Sequence, residues 1–138
     1  MPAETIYVFD ACAVIALLQS EAGAPVVVDL LKAQSHRCIV HAINVCEVYY
    51  DLYRRDGEEI ADGVNEILAS YGFEIVEDVP STLWKAAGKL KGAWKRVSLA
   101  DCFALALALQ ESGTVVTTDH HELDPLVEAN VCPIHFIR

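Results

Sequence analysis

Short apolar segments rich in β-branched and aromatic residues alternate with longer helical segments along this chain, and this alternation constrains the fold most strongly. We predict strands at residues 6–9, 38–40, 73–76, 115–118 and 134–137. We predict seven helices between the strands. The first spans about residues 11–18, the second has Pro25 in its first turn, the third follows Asn44 and the fourth ends at Gly72. The fifth spans about residues 81–91, the sixth residues 98–113, and a short seventh begins at Asp124-Pro125. Because parallel neighbours need crossover connections, the pattern predicts an α/β fold with a central five-stranded parallel sheet between helical layers.

The 138 residues fit one domain spanning residues 1–138. The chain is 54% hydrophobic, but no uninterrupted apolar run is longer than that of residues 102–109, which is far shorter than the roughly 20 residues that span a membrane. The first residues, Met-Pro-Ala-Glu-Thr, show no basic region of the kind that opens a signal peptide. We therefore expect a cytoplasmic protein without a membrane partner.

The five cysteines form no Cys-x-x-Cys pair, and their number is odd. They are Cys12, Cys38, Cys46, Cys102 and Cys132. All lie in or beside apolar segments, which favours reduced core residues over a disulfide framework or a zinc site.

Four carboxylates stand where this α/β pattern would bring distant segments together. Asp10 and Asp119 end predicted strands, whereas Glu47 and Asp101 each follow a good helix-capping residue, Asn44 or Ser98, by three positions. In parallel sheets, ligands bind beyond the carboxyl ends of the strands, where the strand order reverses. If folding assembles the four acids there, their pocket is stable only around hard cations such as Mg²⁺ or Mn²⁺.

Helix capping is the alternative explanation for each acid. The pairs Asn44-x-x-Glu47, Ser98-x-x-Asp101 and Asp119-x-x-Glu122 all resemble capping boxes, and acids in a first turn are favoured by the helix dipole. Capping explains Asp101 least well, because the apolar segment around it predicts a helix buried on most sides. A carboxylate there needs a partner, and no cation lies within four residues of it.

The ordered set Phe9-Asp10, Asn44-x-x-Glu47, Ser98-x-x-Asp101 and Thr117-x-Asp119 resembles the PIN-domain ribonucleases, in particular the toxins of VapBC toxin-antitoxin pairs. The resemblance extends over residues 7–136. It implies a Rossmann-like three-layer fold and an endoribonuclease that hydrolyses RNA with Mg²⁺ or Mn²⁺. It also implies a homodimer that is inhibited by a cognate antitoxin.

The same resemblance implies residue roles. Asp10, Glu47, Asp101 and Asp119 match the acidic catalytic and metal-binding quartet, and the hydroxyls that accompany it are matched by Ser98 and Thr117. Ala11 and Cys12 stand where the family often has Thr or Ser, so one hydroxyl contact is missing. Asn44 replaces a frequent Ser or Thr, and its amide can still cap a helix or form hydrogen bonds.

The net charge of −10 excludes a generally basic surface, although half of the ten basic residues lie within twelve positions. They are Lys85, Lys89, Lys91, Lys95 and Arg96, interleaved with Trp84 and Trp94. Both an RNA-facing strip and an ordinary amphipathic helix fit this pattern. Arg54 and Arg55 either extend the strip or complement a helix C-terminus. We expect His120 and His121 to face solvent and Asp124 to cap a helix.

Other classes of function remain alternatives. A phosphoryl-accepting receiver domain would show adjacent acids near the first strand and a lysine at the end of the last, and a haloacid-dehalogenase-like phosphatase needs Asp-x-Asp where position 12 is Cys. A catalytically silent PIN-fold module that binds RNA or protein would not need the four acids.

Overall fold

The computed structural model describes residues 4–138, and its framework is a wholly parallel sheet. The strands are β1 (Thr5–Phe9), β2 (His36–His41), β3 (Glu74–Val76), β4 (Thr114–Thr117) and β5 (Ile134–Phe136). Their spatial order is β3-β2-β1-β4-β5, and every neighbouring pair is parallel. The predicted five-stranded parallel sheet is confirmed, with each strand within two residues of its predicted bounds.

Helices cover both faces of the sheet. Those among residues 4–138 are α1 (Ala11–Leu18), α2 (Ala24–Lys32), α3 (Ala42–Asp56), α4 (Glu58–Asp62), α5 (Val64–Tyr71), α6 (Ser81–Ala93), α7 (Leu99–Gln110) and α8 (His120–Glu128). One buried cluster packs Phe9 against α1 to α5, and the other packs its neighbour Val8 against α6 to α8. Successive strand residues thus point to opposite faces, as the pleat requires, and the three-layer α/β fold is confirmed.

Helix α7 lies deepest in the second layer. All of its residues from Ala100 to Ala108 are buried, which explains why its sequence is apolar on every side. Gly72 ends α5 in the left-handed conformation, at φ +101°, where a side chain would be strained. None of the described helices has both the length and the apolar character needed to cross a membrane.

Two predicted helix starts were wrong. Helix α3 begins at Ala42 rather than after Asn44, because the His41 ring caps it by accepting a hydrogen bond from the Ile43 N–H at 3.1 Å. Asn44 instead lies buried in the first turn, where its Nδ2 donates to the Ala100 carbonyl at 3.3 Å. The local cap by His41 and the tertiary bond to Ala100 together override the capping preference of asparagine.

Helix α8 begins at His120 rather than at Asp124-Pro125. Asp119 is its cap, since its Oδ1 accepts from the Glu122 N–H at 3.0 Å. Asp124 therefore lies inside the helix, and Pro125 removes one backbone donor without ending it. The interpretation of Asp124 as a cap was wrong.

The cysteines divide into two groups. All five are free thiols, which fits the predicted reduced state. Cys38, Cys102 and Cys132 are buried in the core, but Cys12 and Cys46 are exposed, so the prediction that all five are core residues was wrong for these two. Cys12 lies on α1 and Cys46 on α3, and the buried face of each helix is formed by other residues.

Candidate metal centre

The acids collect where the strand order reverses. From β1 the chain proceeds outwards through β2 to β3, then returns to the other side of β1 through β4 and β5. Asp10 directly follows β1, and Asp119 lies two residues beyond the end of β4, the strand paired with β1. The crevice beyond such a reversal is the usual ligand site of an open parallel sheet.

Asp10 is held rigidly at the start of α1. It is 1% exposed; its Oδ1 accepts from the Ala13 N–H at 2.9 Å and its Oδ2 from the Thr117 hydroxyl at 2.5 Å. The Thr117 oxygen in turn accepts from the Asp119 N–H at 3.0 Å, so one hydroxyl fixes both acids. Burial raises the pKa of Asp10 to about 7 against the effect of these hydrogen bonds, and the charges of Asp119 and Glu47 raise it further.

Asp101 occupies the first turn of α7. Its N–H donates to the Ser98 Oγ at 3.1 Å, which confirms the Ser98 cap, and its side chain is 7% exposed. Burial is the first cause that raises the pKa of Asp101 to about 6, followed by the charge of Asp10. Nearly buried carboxylates that repel one another are costly without a compensating cation.

Three carboxylates lie close enough to share one ion. Oxygens of Asp101, Asp119 and Glu122 all lie within 4.8 Å of one another. Loss of hydration, then the hydrogen bond with Asp101 and the charge of Asp101, raise the pKa of Glu122 to about 7. Burial and the neighbouring Asp101 carboxylate therefore both favour the protonated form of Glu122 when no cation is present.

Glu122 was not among the predicted site residues. Its spacing from Asp119 predicts only a capping box, and its backbone N–H does donate to the Asp119 side chain as such a cap requires. However, Glu122 stands three residues after the cap of α8 just as Asp101 stands three residues after the cap of α7. An acid three residues after the cap, at both α7 and α8, is the sequence signal that could have identified Glu122.

Glu47 lies on the second turn of α3, half-buried, and outside the group of three. Burial and the charge of Glu122 raise the pKa of Glu47, and its own charge acts on both Asp10 and Asp101. The structure thus brings all four predicted acids close enough for their charges to interact. Asp101 and Asp119 stand with Glu122 at the centre of these acids, while Asp10 and Glu47 flank them.

The side chain of Cys12 stands beside the acids in place of the expected hydroxyl. Loss of hydration and then the charges of Asp10, Asp101 and Asp119 raise the pKa of the Cys12 thiol to about 12. Without a metal ion, the thiol therefore stays protonated at neutral pH.

The basic residues have different surroundings. Lys91 is committed to the backbone, since its Nζ donates to the Lys95 and Val97 carbonyls, both at 2.8 Å. Lys95 and Arg96 are exposed and line a groove that also contains Glu122. Three other basic side chains contact neighbours: Lys85 lies over the Trp84 ring, Arg54 lies over the Tyr50 ring, and Arg55 contacts Asp51 and Gln19.

The two histidines after Asp119 are both exposed, as predicted. His120 stacks on Phe136 at 3.9 Å between ring centres, and its ring nitrogens contact Asp124 Oδ1 at 3.0 Å and the Arg138 carbonyl at 2.7 Å. The Arg138 carbonyl and Asp124 raise the pKa of His120. His120 and Asp124 therefore join the end of the chain to α8, outside the group of three acids.

The donor set suits a hard divalent cation. Three carboxylates in mutual reach, with two more acids beside them, offer oxygen ligands and an excess of negative charge. Mg²⁺ and Mn²⁺ prefer such ligands, and a bound cation would offset both the burial and the repulsion that raise these pKa values. Asp101, Asp119 and Glu122 could hold the ion.

Comparison with known proteins shows the family of this chain. The family model of the PIN domain matches residues 7–124, most of the chain, so this protein belongs to the PIN domain family. No curated protein sequence matches it significantly.

Solved structures share its fold at low sequence identity. They include DNA-bound VapBC from Salmonella typhimurium, with a TM-score of 0.72 and 16% identity over 97% of this chain and 99% of that one. VapBC2 from Rickettsia felis, bound to a promoter DNA fragment, has a TM-score of 0.71 and 17% identity over 96% and 98%. The sarcin-ricin loop cleaving toxin VapC20 from Mycobacterium tuberculosis has a TM-score of 0.69 and 18% identity over 88% and 95%.

The raised pKa values predict how the metal-free protein responds to pH. Asp10, Asp101 and Glu122 keep protons in the folded state that the unfolded chain has already released, so raising the pH from about 5 to about 8 should destabilise the fold. Thermal melts in chelator should show a falling melting temperature over this range, and saturating Mn²⁺ should flatten the decline. A melting temperature that rises with pH in chelator would contradict the raised pKa values.

Proposed function

We propose that this chain is a divalent-metal-dependent endoribonuclease and the toxin of a type II toxin-antitoxin pair. The observation that supports it most is the group of Asp101, Asp119 and Glu122 carboxylates, within 4.8 Å of one another at the reversal point of a PIN-family sheet. A silent module that only binds RNA or protein does not need this costly arrangement of buried like charges.

Each residue has a defined part in the proposed site. Asp101, Asp119 and Glu122 would hold Mg²⁺ or Mn²⁺, with Asp10 and Glu47 as the further acids of the predicted quartet. Thr117 keeps Asp10 and Asp119 oriented through its hydroxyl. When bound, such a cation lowers the pKa of a water molecule and stabilises the charge that develops at a phosphodiester. This metal-assisted chemistry requires no nucleophile from the protein.

An RNA-cleavage assay tests the proposal directly. The purified protein should hydrolyse a mixed RNA pool in Mg²⁺ or Mn²⁺ and lose this activity in chelator. Incubation with acetyl phosphate, which phosphorylates receiver domains, should leave its mass unchanged. Absence of cleavage in both metals would overturn the nuclease and favour the silent module, and a stable acyl phosphate would favour the receiver alternative.

We expect a homodimer that uses the outer face of α3. Val45, Val48 and Leu52 bury the inner face of this helix, yet Tyr50 and Tyr53 on the same helix remain 48% and 50% exposed. Exposed aromatic side chains on a helix whose core face is already filled are typical of an interface.

Sedimentation velocity should therefore show a dimer at micromolar concentration. The double variant Tyr50→Ser, Tyr53→Ser should dissociate at least about tenfold more readily, because aromatic anchors dominate such interfaces. Val127→Ser on α8, in the opposite helical layer, removes another exposed apolar side chain and should leave the dimer intact. A wild-type monomer throughout this range would remove the dimer from the proposal.

The antitoxin is a separate expectation. Two of the structurally similar proteins are VapBC complexes with DNA, so we propose that a small DNA-binding protein encoded beside this chain binds and inhibits it. Co-expression should yield a complex in which RNA cleavage is suppressed. A neighbour that neither co-purifies nor inhibits would eliminate this partner while leaving the nuclease proposal intact.

A further inference from the structure

A groove of about 380 Å³ opens beside the acids, between the end of α6 and the first turns of α8. Its volume lies at the lower end of the range of ligand sites, which is about 300 to 1,000 Å³. The side chains that matter here are Trp94, Lys95, Arg96, His121, Glu122 and Pro125. The groove therefore combines an aromatic surface, two cations and one acid of the candidate metal centre.

The segment that carries Trp94 is fixed before any ligand arrives. The Trp94 N–H donates to the Leu90 carbonyl at 2.7 Å, and its own carbonyl accepts from the Val97 N–H at 3.1 Å. Lys91 secures the same segment through its two bonds to the Lys95 and Val97 carbonyls. The half-buried indole packs on the second core cluster and still lines the groove, so it offers a positioned flat surface.

Positive charge is concentrated next to this surface in a protein of net charge −10. Lys95 and Arg96 are both exposed, and neither forms a salt bridge within residues 4–138. Their charges are therefore available to a ligand. An apolar protein segment would gain little from them, whereas the phosphates of a nucleic acid strand would be attracted.

Glu122 connects the groove to the candidate metal centre. Its side chain lines the groove and also belongs to the group of three carboxylates with Asp101 and Asp119. A strand whose phosphate lies at those acids would therefore place a neighbouring nucleotide in the groove. Stacking of single-stranded bases on aromatic side chains, with cations along the backbone, is the common mode of binding unpaired RNA.

We infer that this groove is a substrate subsite that takes one unstacked nucleobase of an RNA strand, with Trp94 as its stacking surface and Lys95 and Arg96 on the adjoining phosphates. The inference rests on the proposed nuclease function, since it places the base relative to the same acids. It adds that the protein acts on unpaired RNA, because a base within a duplex cannot leave its stack to enter the groove without an energetic cost.

The two tryptophans of the chain provide a matched pair of reporters. Trp84→Phe leaves Trp94 as the only indole, and Trp94→Phe leaves Trp84, which is 49% exposed on the same helix but does not line the groove. Both variants are titrated with single-stranded RNA of mixed sequence in Ca²⁺, a cation that takes oxygen ligands but fits a Mg²⁺ geometry poorly. We expect the RNA to quench the emission of Trp94 strongly and that of Trp84 little.

Three comparisons make the assignment specific. The same strand with abasic positions keeps its phosphates, so it should bind without quenching Trp94. The duplex form should quench little. Trp94→Leu should raise the KM for single-stranded RNA about tenfold or more, whereas Trp94→Phe, which keeps an aromatic ring, should raise it less. Thermal melts check that both variants are folded.

The outcomes separate the subsite from the nuclease. RNA cleavage by the wild-type protein together with unchanged Trp94 emission would overturn the subsite alone. Equal quenching by the abasic strand would also overturn it, since phosphate contacts would then explain the signal. Quenching of Trp94 without any cleavage would keep the subsite and remove the nuclease. Quenching by a co-expressed neighbour protein but not by RNA would assign the groove to a protein partner and overturn the inference.

Discussion

Replacing Asp101 or Asp10 with Asn is expected to lower RNA cleavage by more than about 100-fold, beyond the loss usual for a residue that only supports a metal ligand. Both carboxylates are at least 93% buried at the sheet edge, and each raises the pKa of its neighbours through its charge. Asn preserves the size of the side chain but removes the negative charge that holds a cation. Cleavage rates in Mn²⁺ measure this directly.

The stability of the Asp101→Asn variant distinguishes a metal-site acid from a structural cap. If Asp101 acted only at the start of the helix, its replacement should cost at most about 1 kcal/mol, because the Ser98 Oγ still accepts the hydrogen bond from the backbone N–H of residue 101. A metal-site acid should behave differently. Without metal, removing one of several repelling charges should leave the protein as stable or more stable. The stabilisation produced by Mn²⁺ should shrink.

The control is Asp29→Asn on α2, an exposed acid outside the candidate site. It should keep both cleavage and the rise in melting temperature with Mn²⁺. Normal metal-induced stabilisation and near-normal cleavage in Asp10→Asn and Asp101→Asn would eliminate the proposed site, even though the chain belongs to the PIN domain family.

The sheet was predictable because each of its strands carries a short apolar signal. Val8 and Phe9 point to opposite helical layers, so both faces of β1 require apolar residues. A continuous apolar run such as Ile6-Tyr7-Val8-Phe9 therefore predicts a strand buried on both faces from the local sequence alone. The position of Asp10 followed from the same signal, because the residue after a central parallel strand lies at the ligand-binding edge.

Helix starts depend on contacts that the local sequence does not contain. Asn44 has the chemistry of a cap, but its amide is used by the Ala100 carbonyl, a partner more than fifty positions away, while the His41 ring caps α3. Asp124 also has the chemistry of a cap, yet α8 begins earlier, at His120, with Asp119 as its cap. A local rule ranks the candidates for a cap, and tertiary hydrogen bonds select among them.

Glu122 does not stand out in the sequence as a site residue, because it already has a sufficient local explanation. Its capping-box spacing from Asp119 accounts for the residue, and the cap is real. Only the placement of α8 beside α7 shows that the same side chain also reaches Asp101. Capping by the backbone and metal binding by the side chain are compatible, so the first does not exclude the second.

Glu122→Gln is therefore expected to weaken the apparent affinity for Mn²⁺ by tenfold or more, because it removes the charge of one of the three carboxylates within 4.8 Å of one another. Without metal, the Asp101 carboxylate favours the protonated form of Glu122, and a Gln amide can donate a hydrogen bond to the same carboxylate. The metal-free variant should accordingly match the wild-type melting temperature. Cleavage measured against Mn²⁺ concentration should shift to higher metal, with part of the rate recovered at saturation.

Glu128→Gln is the matched control for this variant, since Glu128 is an exposed acid at the other end of the same helix. It should leave the Mn²⁺ dependence of cleavage and the melting temperature unchanged. An unchanged Mn²⁺ dependence for Glu122→Gln, combined with a lower melting temperature without metal, would show that Glu122 only stabilises the start of α8. The proposed ion would then have to be held by Asp101 and Asp119 with Asp10 or Glu47, the quartet that the sequence predicted.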